Sequence, residues 1–260
     1  MDAMTETPPL LLTRDARGAV RLTLNRPDAL NALSEALLDA LQDTIGAIGA
    51  DEAARLVIIE GAGRAFCAGH DLREMMALPD PAAQRALFAK CSRVMLSLQH
   101  LPVPVIARVH GIATAAGCQL VATCDLAIAA ESARFAVSGV NLGLFCATPS
   151  VALARNVPRK AVLEMLFTGG MIGAREAERR FLINRAVPDG ELDDAVEHLV
   201  TNILAKPRAA LAIGKAQFYR QTEQGVEAAY ATASEAMACN LAEPSARQGI
   251  GAFIGRNKPR

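Results

Sequence analysis

Tryptophan is absent from the 260 residues and aromatic residues make up only 4% of them, so the core must be built from aliphatic and small side chains. Net charge is missing too: 27 Lys+Arg balance 27 Asp+Glu. A neutral chain lacks the concentrated positive field that phosphate backbones attract, which excludes a globally basic nucleic-acid binder but leaves room for a local basic pocket. The six cysteines (Cys67, Cys91, Cys118, Cys124, Cys146, Cys239) contain no CxxC pair. Four of them sit in Ala/Gly/Leu-rich surroundings, where a small buried thiol is expected rather than a disulfide framework. His70, His100, His110 and His198 form neither HxH nor HxxxH, so no zinc set is written into the chain. The longest weakly polar stretch, 111–130, carries Gln119, Thr123 and Asp125 and is too polar for a membrane span. The first nine residues hold two acids and no apolar or Arg-rich run, so neither a secretory signal nor a transit peptide is expected. The expected compartment is reducing: cytoplasmic, or the mitochondrial matrix in a eukaryotic cell.

What is present is apolar. Hydrophobic residues reach 52% and charged ones 21%, which excludes disorder, and a chain of this length buries roughly 70–75% of its unfolded surface. Val20–Leu24 alternates as a half-buried strand does, and Leu37, Leu38, Leu41, Ile45 and Ile48 repeat at helical spacing after Ser34. The runs 56–59, 103–107 and 125–129 read as strands, with Pro102 and Pro104 pushing the second to a sheet edge or a strand start. A small-residue helix is expected over 115–124. Strands alternating with helices predict βαβ units and a parallel sheet. After about residue 155 the character turns helical, with Pro207 opening one helix, 225–241 forming another and a short one starting at Pro244. The division is an α/β body over 1–200 and a helical C-terminal part over 201–260.

Two loops carry the chemical interest. The first, 61–72, follows a buried strand and holds Gly61, Gly63 and Gly69 with His70 and Asp71; the second, 110–119, leads from a strand into a helix start of small residues. Helix starts expose N–H groups that attract negative charge, and two N–H groups from different loops aimed at one point make an oxyanion hole. The competing reading is two tight turns that let helix and sheet pack closely. Neither loop gives GxxxxGK[ST], GxGxxG or GxSxG, so P-loop, dinucleotide and hydrolase-elbow readings lack their patterns. His110 reads as a hydrogen-bonded structural residue, and His70 as a loop histidine without a visible partner.

Four ordered motifs, Asn25-Arg-Pro-x-Ala-Leu-Asn-Ala-Leu33, Phe66-Cys-Ala-Gly-His-Asp-Leu72, Val109-His-Gly-x-Ala-x-Ala-Ala-Gly-Cys118 and Cys124-Asp-Leu-Ala-Ile-Ala129, resemble the crotonase (enoyl-CoA hydratase/isomerase) superfamily from about residue 10 to Phe253. The resemblance implies an α/β spiral of ββα units with a helical C-terminal trimerisation region, assembled as a homotrimer or as a hexamer. It implies an acyl-CoA ligand of fatty-acid metabolism, with coenzyme A entering as part of the substrate and no separate cofactor, metal, nucleic acid or membrane. The two oxyanion N–H donors map onto His70 and Ala116. Coenzyme A contacts map onto Ala29 and the loop Ala68, His70, Asp71 and Leu72. Arg26, Arg73, Arg256, Lys258 and Arg260 are candidate phosphate partners, or else ordinary surface charge. Phe253 maps onto an aromatic that approaches coenzyme A from a neighbouring subunit, or else it is core.

The departures from the family pattern are chemical. Hydratases of the family set two glutamates around one water; the matching positions here are Gln119 and Gly139. An amide takes no proton from water at neutral pH and glycine has no side chain, so water addition lacks both partners. His70, Cys67, Gln119 and Cys146 are the candidate substitutes, with Asp71 and Glu74 outside them. Ala116 replaces a usual glycine, and Phe181 replaces the glycine of a helix stop, which predicts a remodelled C-cap. The reading is an acyl-CoA-binding, enolate-handling protein with weak or absent hydratase activity. Its alternative is a catalytically weak, non-hydratase or regulatory acyl-CoA binder.

Overall fold

The computed structural model describes residues 7–256, with the backbone alone at Arg256; Lys258 and Arg260 lie outside the described residues, as does the Arg256 side chain. Strand β2 (Ala19–Leu24) buries Val20, Leu22 and Leu24 and leaves Arg21 and Thr23 half-buried, as its alternation requires. β1 (Leu10–Arg14) pairs antiparallel on its outer side. On the other side β3 (Leu56–Gly61), β4 (Val105–Val109), β6 (Leu126–Ala130) and β9 (Arg185–Val187) follow in parallel, giving the order β1-β2-β3-β4-β6-β9. β4 is therefore interior, and Pro104 stands just before its first residue, where a missing N–H removes no ladder bond.

A second sheet is built from β5 (Ile112–Thr114), β7 (Arg134–Ala136) and β8 (Ile172–Gly173). Cys67 extends it by a parallel bridge to Ala113. Each turn of chain thus gives one strand to each sheet and then a helix: β4, β5 and α4 (Ala116–Thr123), then β6, β7 and α5 (Ala147–Leu153). This is the expected mixed α/β spiral. β8 and β9 fall in the stretch that the sequence reads as helical; at two and three residues they are too short to show a period.

α1 (Glu35–Ala50) begins at Ser34, whose hydroxyl accepts the Leu37 N–H, and buries the predicted face against the sheet. The short α2 (Leu72–Ala77) leads into α3 (Pro81–His100), which packs on α1. α7 (Ala174–Arg179) closes the second sheet, and α6 (Arg159–Thr168) packs on the 3-10 turn Ser138–Leu142 and on α5. Phe181, just past α7, keeps the left-handed backbone of a glycine stop (φ 62°), and Leu182 N–H still bonds Ala177 C=O at 2.9 Å. The cap is therefore not remodelled: the backbone geometry survives with phenylalanine at the glycine position.

α8 (Leu192–Leu204) packs Leu192, Val196 and Val200 on Ile58, Ile106 and Ile128, so it adheres to the main sheet across residue 200. Beyond it, α9 (Arg208–Thr222), α10 (Val226–Ala242) and α11 (Pro244–Arg256) leave Phe218, Tyr230, Met237 and Phe253 largely uncovered, while the Lys215 side chain of α9 is only 7% exposed. α9 is pinned to the body at its start, where Arg208 Nε bonds Ala54 C=O at 3.1 Å, and again around Lys215. Lys215 Nζ bonds Leu98 C=O, Val103 C=O and Asp125 Oδ2, and Asp125 Oδ1 accepts Tyr219 OH at 2.8 Å. Among the described residues no helix is long and apolar enough to cross a membrane.

Candidate active site

The first loop is held by backbone pairing on both flanks. Leu33 N–H bonds Gly69 C=O at 2.7 Å and Asp71 N–H bonds Leu33 C=O at 3.2 Å. His70, between them, therefore turns its own N–H away from Leu33 and donates it to no acceptor among the described residues. Cys67 N–H bonds Ile112 C=O, Thr114 N–H bonds Cys67 C=O, and Thr114 Oγ1 bonds Ala68 C=O at 3.0 Å. Asn31, fully buried, braces the same loop from below. Its Nδ2 reaches Ala62 C=O and Ala65 C=O, and its Oδ1 accepts Arg26 N–H. Leu30 and Asn31 are successive left-handed residues (φ 51° and 56°), and Leu30 C=O takes the Ala68 N–H, which ties the Ala29 turn to the loop.

The second loop packs directly on the first. A Cβ on Gly117 would lie 2.0 Å from Cys67 O, so only glycine lets α4 approach this closely. A Cβ on Gly69 would lie 2.9 Å from Ala115 Cβ and 3.4 Å from Ala116 N. Ala115 itself holds φ 49° and ψ −117°, a conformation that favours glycine. Ala116 is the first residue of α4; its N–H has no i−4 partner and is donated to nothing among the described residues. Two unpaired backbone donors thus sit on loops in mutual contact. Both readings of these loops hold at once: they are tight packing turns, and they leave free N–H groups.

Gln119 lies one turn further along α4, 4% exposed, with its Oε1 unpartnered. Gly139 is in the 3-10 turn Ser138–Leu142, and its N–H donates to Cys146 Sγ at 3.3 Å. A Cβ there would lie 2.3 Å from Leu144 O and 2.8 Å from Cys146 Sγ. The space where a side chain would begin is filled. Burial pushes the Cys146 thiol up, partly offset by the Gly139 N–H, and pushes Cys67 and Cys118 up to about 12, so all three are neutral thiols. The His70 ring packs edge-on against Phe88 of α3 at 5.5 Å, its Nε2 is unpartnered, and burial pushes its pKa down to about 4. It is a neutral imidazole at pH 7. His110 Nε2 meets Gly63 C=O at 2.8 Å, a structural bond that fixes a turn.

The cations at this rim divide. Arg26 is engaged within the protein, with Asp71 at 2.9 Å and Ala32 C=O at 2.6 Å. Asp71 caps α2 by accepting the N–H groups of Arg73 and Glu74; burial raises its carboxyl, but the Arg26 bond and these N–H groups together hold it below the usual range. Glu74 accepts the Glu35 N–H at 2.8 Å. Arg73 is exposed beside Leu72, and its guanidinium has no partner among the described residues. Phe253 is 64% exposed on α11, which packs on α10. Among the described residues no group of three or more His, Cys, Asp or Glu is arranged to hold a metal ion. Sequence reasoning gave no role to Asn31 or Thr114. The signal available for Asn31 was its tolerance of left-handed backbone; Thr114 carries none, because its partner Ala68 is set by the fold.

The family model described as Enoyl-CoA hydratase/isomerase matches residues 14–260. Enoyl-CoA hydratase domain-containing protein 3, mitochondrial, of Rattus norvegicus is 44% identical over 252 residues, covering 97% of this chain and 84% of that protein. Crotonyl-CoA hydratase of Syntrophomonas wolfei is 32% identical, covering 96% of each. Among solved structures, an enoyl-CoA hydratase of Mycobacterium smegmatis superposes with TM-score 0.95 at 58% identity, covering 98% of this chain and 99% of that one.

Proposed function

Because the chain belongs to the enoyl-CoA hydratase/isomerase (crotonase) family, we propose that it binds acyl-CoA thioesters and stabilises their enolates, with hydration of enoyl-CoA weak or absent. The observation that carries this reading is the pair of unpaired N–H groups of His70 and Ala116 on two loops packed against each other. Directed at one thioester oxygen, they would stabilise the negative charge of an enolate by about 2.7–4 kcal/mol per donor. The Ala29 turn and the residues Ala68, Asp71 and Leu72 would line the coenzyme A path, and Arg73 would face its phosphates. Arg26 would act through Asp71, by shaping the loop rather than by touching phosphate. Phe253 and Arg256 on α11 would complete the site of a neighbouring subunit. The helices α9–α11, which leave Phe218, Tyr230, Met237 and Phe253 largely uncovered within the protomer, support a homotrimer or a hexamer.

Hydration is doubted on chemical grounds. Gln119 cannot serve as a base, and Gly139 offers neither a carboxylate nor room for one. A second reading, a regulatory acyl-CoA binder without turnover, is favoured by the same filled space at Gly139. The rat relative is mitochondrial by name; for this chain we place the protein in a reducing compartment, cytoplasmic or matrix. The test pairs binding with turnover. Thermal stabilisation by millimolar acyl-CoA is expected, because a ligand of the native state raises apparent stability. Loss of conjugated-thioester absorbance with crotonyl-CoA is expected to be slow or undetectable. Absence of any stabilisation would overturn acyl-CoA binding, and rapid hydration would overturn the missing-carboxylate argument.

A further inference from the structure

The Gln119 side chain is buried, and its amide oxygen has no partner. Residues three apart share a helix face, and helical side chains lean towards the N-terminus. This amide therefore reaches back over the end of α4 that carries the free Ala116 N–H. A half-turn of its last torsion offers a ligand either the carbonyl or the N–H groups. The groups around this pair are uncharged. Cys67, Cys118 and Cys146 are neutral thiols, and the neutral His70 ring, with its pKa at about 4, is a feeble base. Asp71 is tied to Arg26, and Glu74 accepts the Glu35 N–H. The site can hold an enolate, but none of these groups is suited to making one by taking a proton from the carbon beside the thioester.

We propose that the enolate arises by loss of carbon dioxide, from a thioester that carries a carboxylate on C2, a malonyl-type acyl-CoA. The inference rests on the acyl-CoA reading above. The bond between C2 and the carboxylate carbon breaks, and its electron pair passes into the thioester as an enolate whose oxygen accepts the His70 and Ala116 N–H groups. Carbon dioxide leaves and water gives a proton to C2. The hydroxide formed takes up the carbon dioxide as bicarbonate. No protein base enters the step, so the missing carboxylates at positions 119 and 139, which disable hydration, leave this reaction intact. Their absence also favours the substrate: a glutamate at 119 would repel the carboxylate, whereas the Gln119 amide donates to it. A neutral donor, unlike a cation, holds the carboxylate without over-stabilising it before it leaves.

The experiment incubates the full-length protein with malonyl-CoA isotopically labelled in its carboxylate carbon and follows labelled bicarbonate and acetyl-CoA. Acetyl-CoA, which lacks only the carboxylate, is the control for binding, by thermal stabilisation, and for proton exchange at C2 in deuterated water. Carbon dioxide release is expected at least ~100-fold above the solution rate, the effect of a single oxyanion donor. Acetyl-CoA is expected to bind while its C2 protons exchange at the solution rate. Gln119→Leu removes the amide at similar volume, and an unfolding curve establishes that it folds. Its malonyl-CoA turnover should fall ~10-fold or more, as for a lost hydrogen bond to a charged group, with acetyl-CoA binding unchanged. Bound acetyl-CoA with no release above the solution rate would overturn the decarboxylation and leave acyl-CoA binding standing. C2 exchange as fast as the release would reveal a base and overturn it too. Full turnover in Gln119→Leu would overturn the assignment of Gln119. Failure of both ligands to bind would overturn the acyl-CoA reading itself.

Discussion

The Cys146 thiol accepts the Gly139 backbone N–H at 3.3 Å and occupies the direction in which a Gly139 side chain would leave the backbone. Restoring the missing carboxylates is therefore unequal work. Gln119→Glu exchanges near-isosteric groups. Gly139→Glu drives a Cβ to 2.3 Å from Leu144 O, a backbone atom that cannot swing away. We expect Gly139→Glu to destabilise by about 1–3 kcal/mol, read as a lower urea midpoint. The double substitution should fail to bring crotonyl-CoA hydration to the level of a two-glutamate hydratase. A stable, fully active double variant would show that the Leu144 turn yields.

The His70 ring gives a pH signature. Burial pushes its pKa from 6.5 to about 4, so it stays neutral where an unfolded histidine would already be charged. The unfolded chain takes up the proton first as pH falls. Stability is complete above about pH 6.5 and declines towards pH 4, by at most ~3 kcal/mol. His70→Gln removes the titrating group, so its loss of stability between pH 7 and pH 4.5 should be smaller than that of the parent. Parallel pH profiles for the two proteins in urea melts would refute the buried neutral ring.

Much of this site was legible in the chain, for particular reasons. Gly69, Gly111 and Gly117 advertise close backbone approach, and each meets another backbone where a Cβ would stand. Ser34 and the repeat Leu37–Leu41–Ile45–Ile48 carry helix start and buried face locally, so α1 is readable without its partners. The Lys215–Asp125 pair spans 90 residues, and no local period encodes it. The filled space at Gly139 is equally hidden, since it depends on how 144–146 fold back. The Arg26–Asp71 pair turns a candidate phosphate cation into a loop brace, which only the tertiary structure reveals.

That long-range pair supplies a stability test. Lys215 and Asp125 are 7% and 17% exposed, and burial pulls the Lys215 pKa down against the opposing pull of Asp125. Asp125→Ala strands a buried ammonium and leaves the Tyr219 hydroxyl and Val105 N–H without their acceptor. The expected cost is about 3–5 kcal/mol in urea unfolding. Adding Lys215→Met removes the stranded charge, so the double variant should be more stable than Asp125→Ala alone. Additive losses would mean that the two groups act independently.

Phe181 offers a change in the opposite direction. Its φ of 62° places a bulky residue in left-handed backbone, which costs roughly 1–2 kcal/mol relative to glycine. The side chain is 71% exposed, so little packing is lost on removing it. Glycine is disfavoured by its greater freedom in the unfolded chain, by about 0.4–1 kcal/mol, which reduces the gain without reversing it. Phe181→Gly should therefore stabilise by about 0.5–1 kcal/mol and raise Tm by roughly 2 °C. Leu182 N–H already bonds Ala177 C=O in the geometry that glycine would adopt, so no rearrangement is needed to realise it. A fall in Tm would mean that the exposed ring makes a contact outside the protomer, and the same variant examined by sedimentation would then show a weakened assembly.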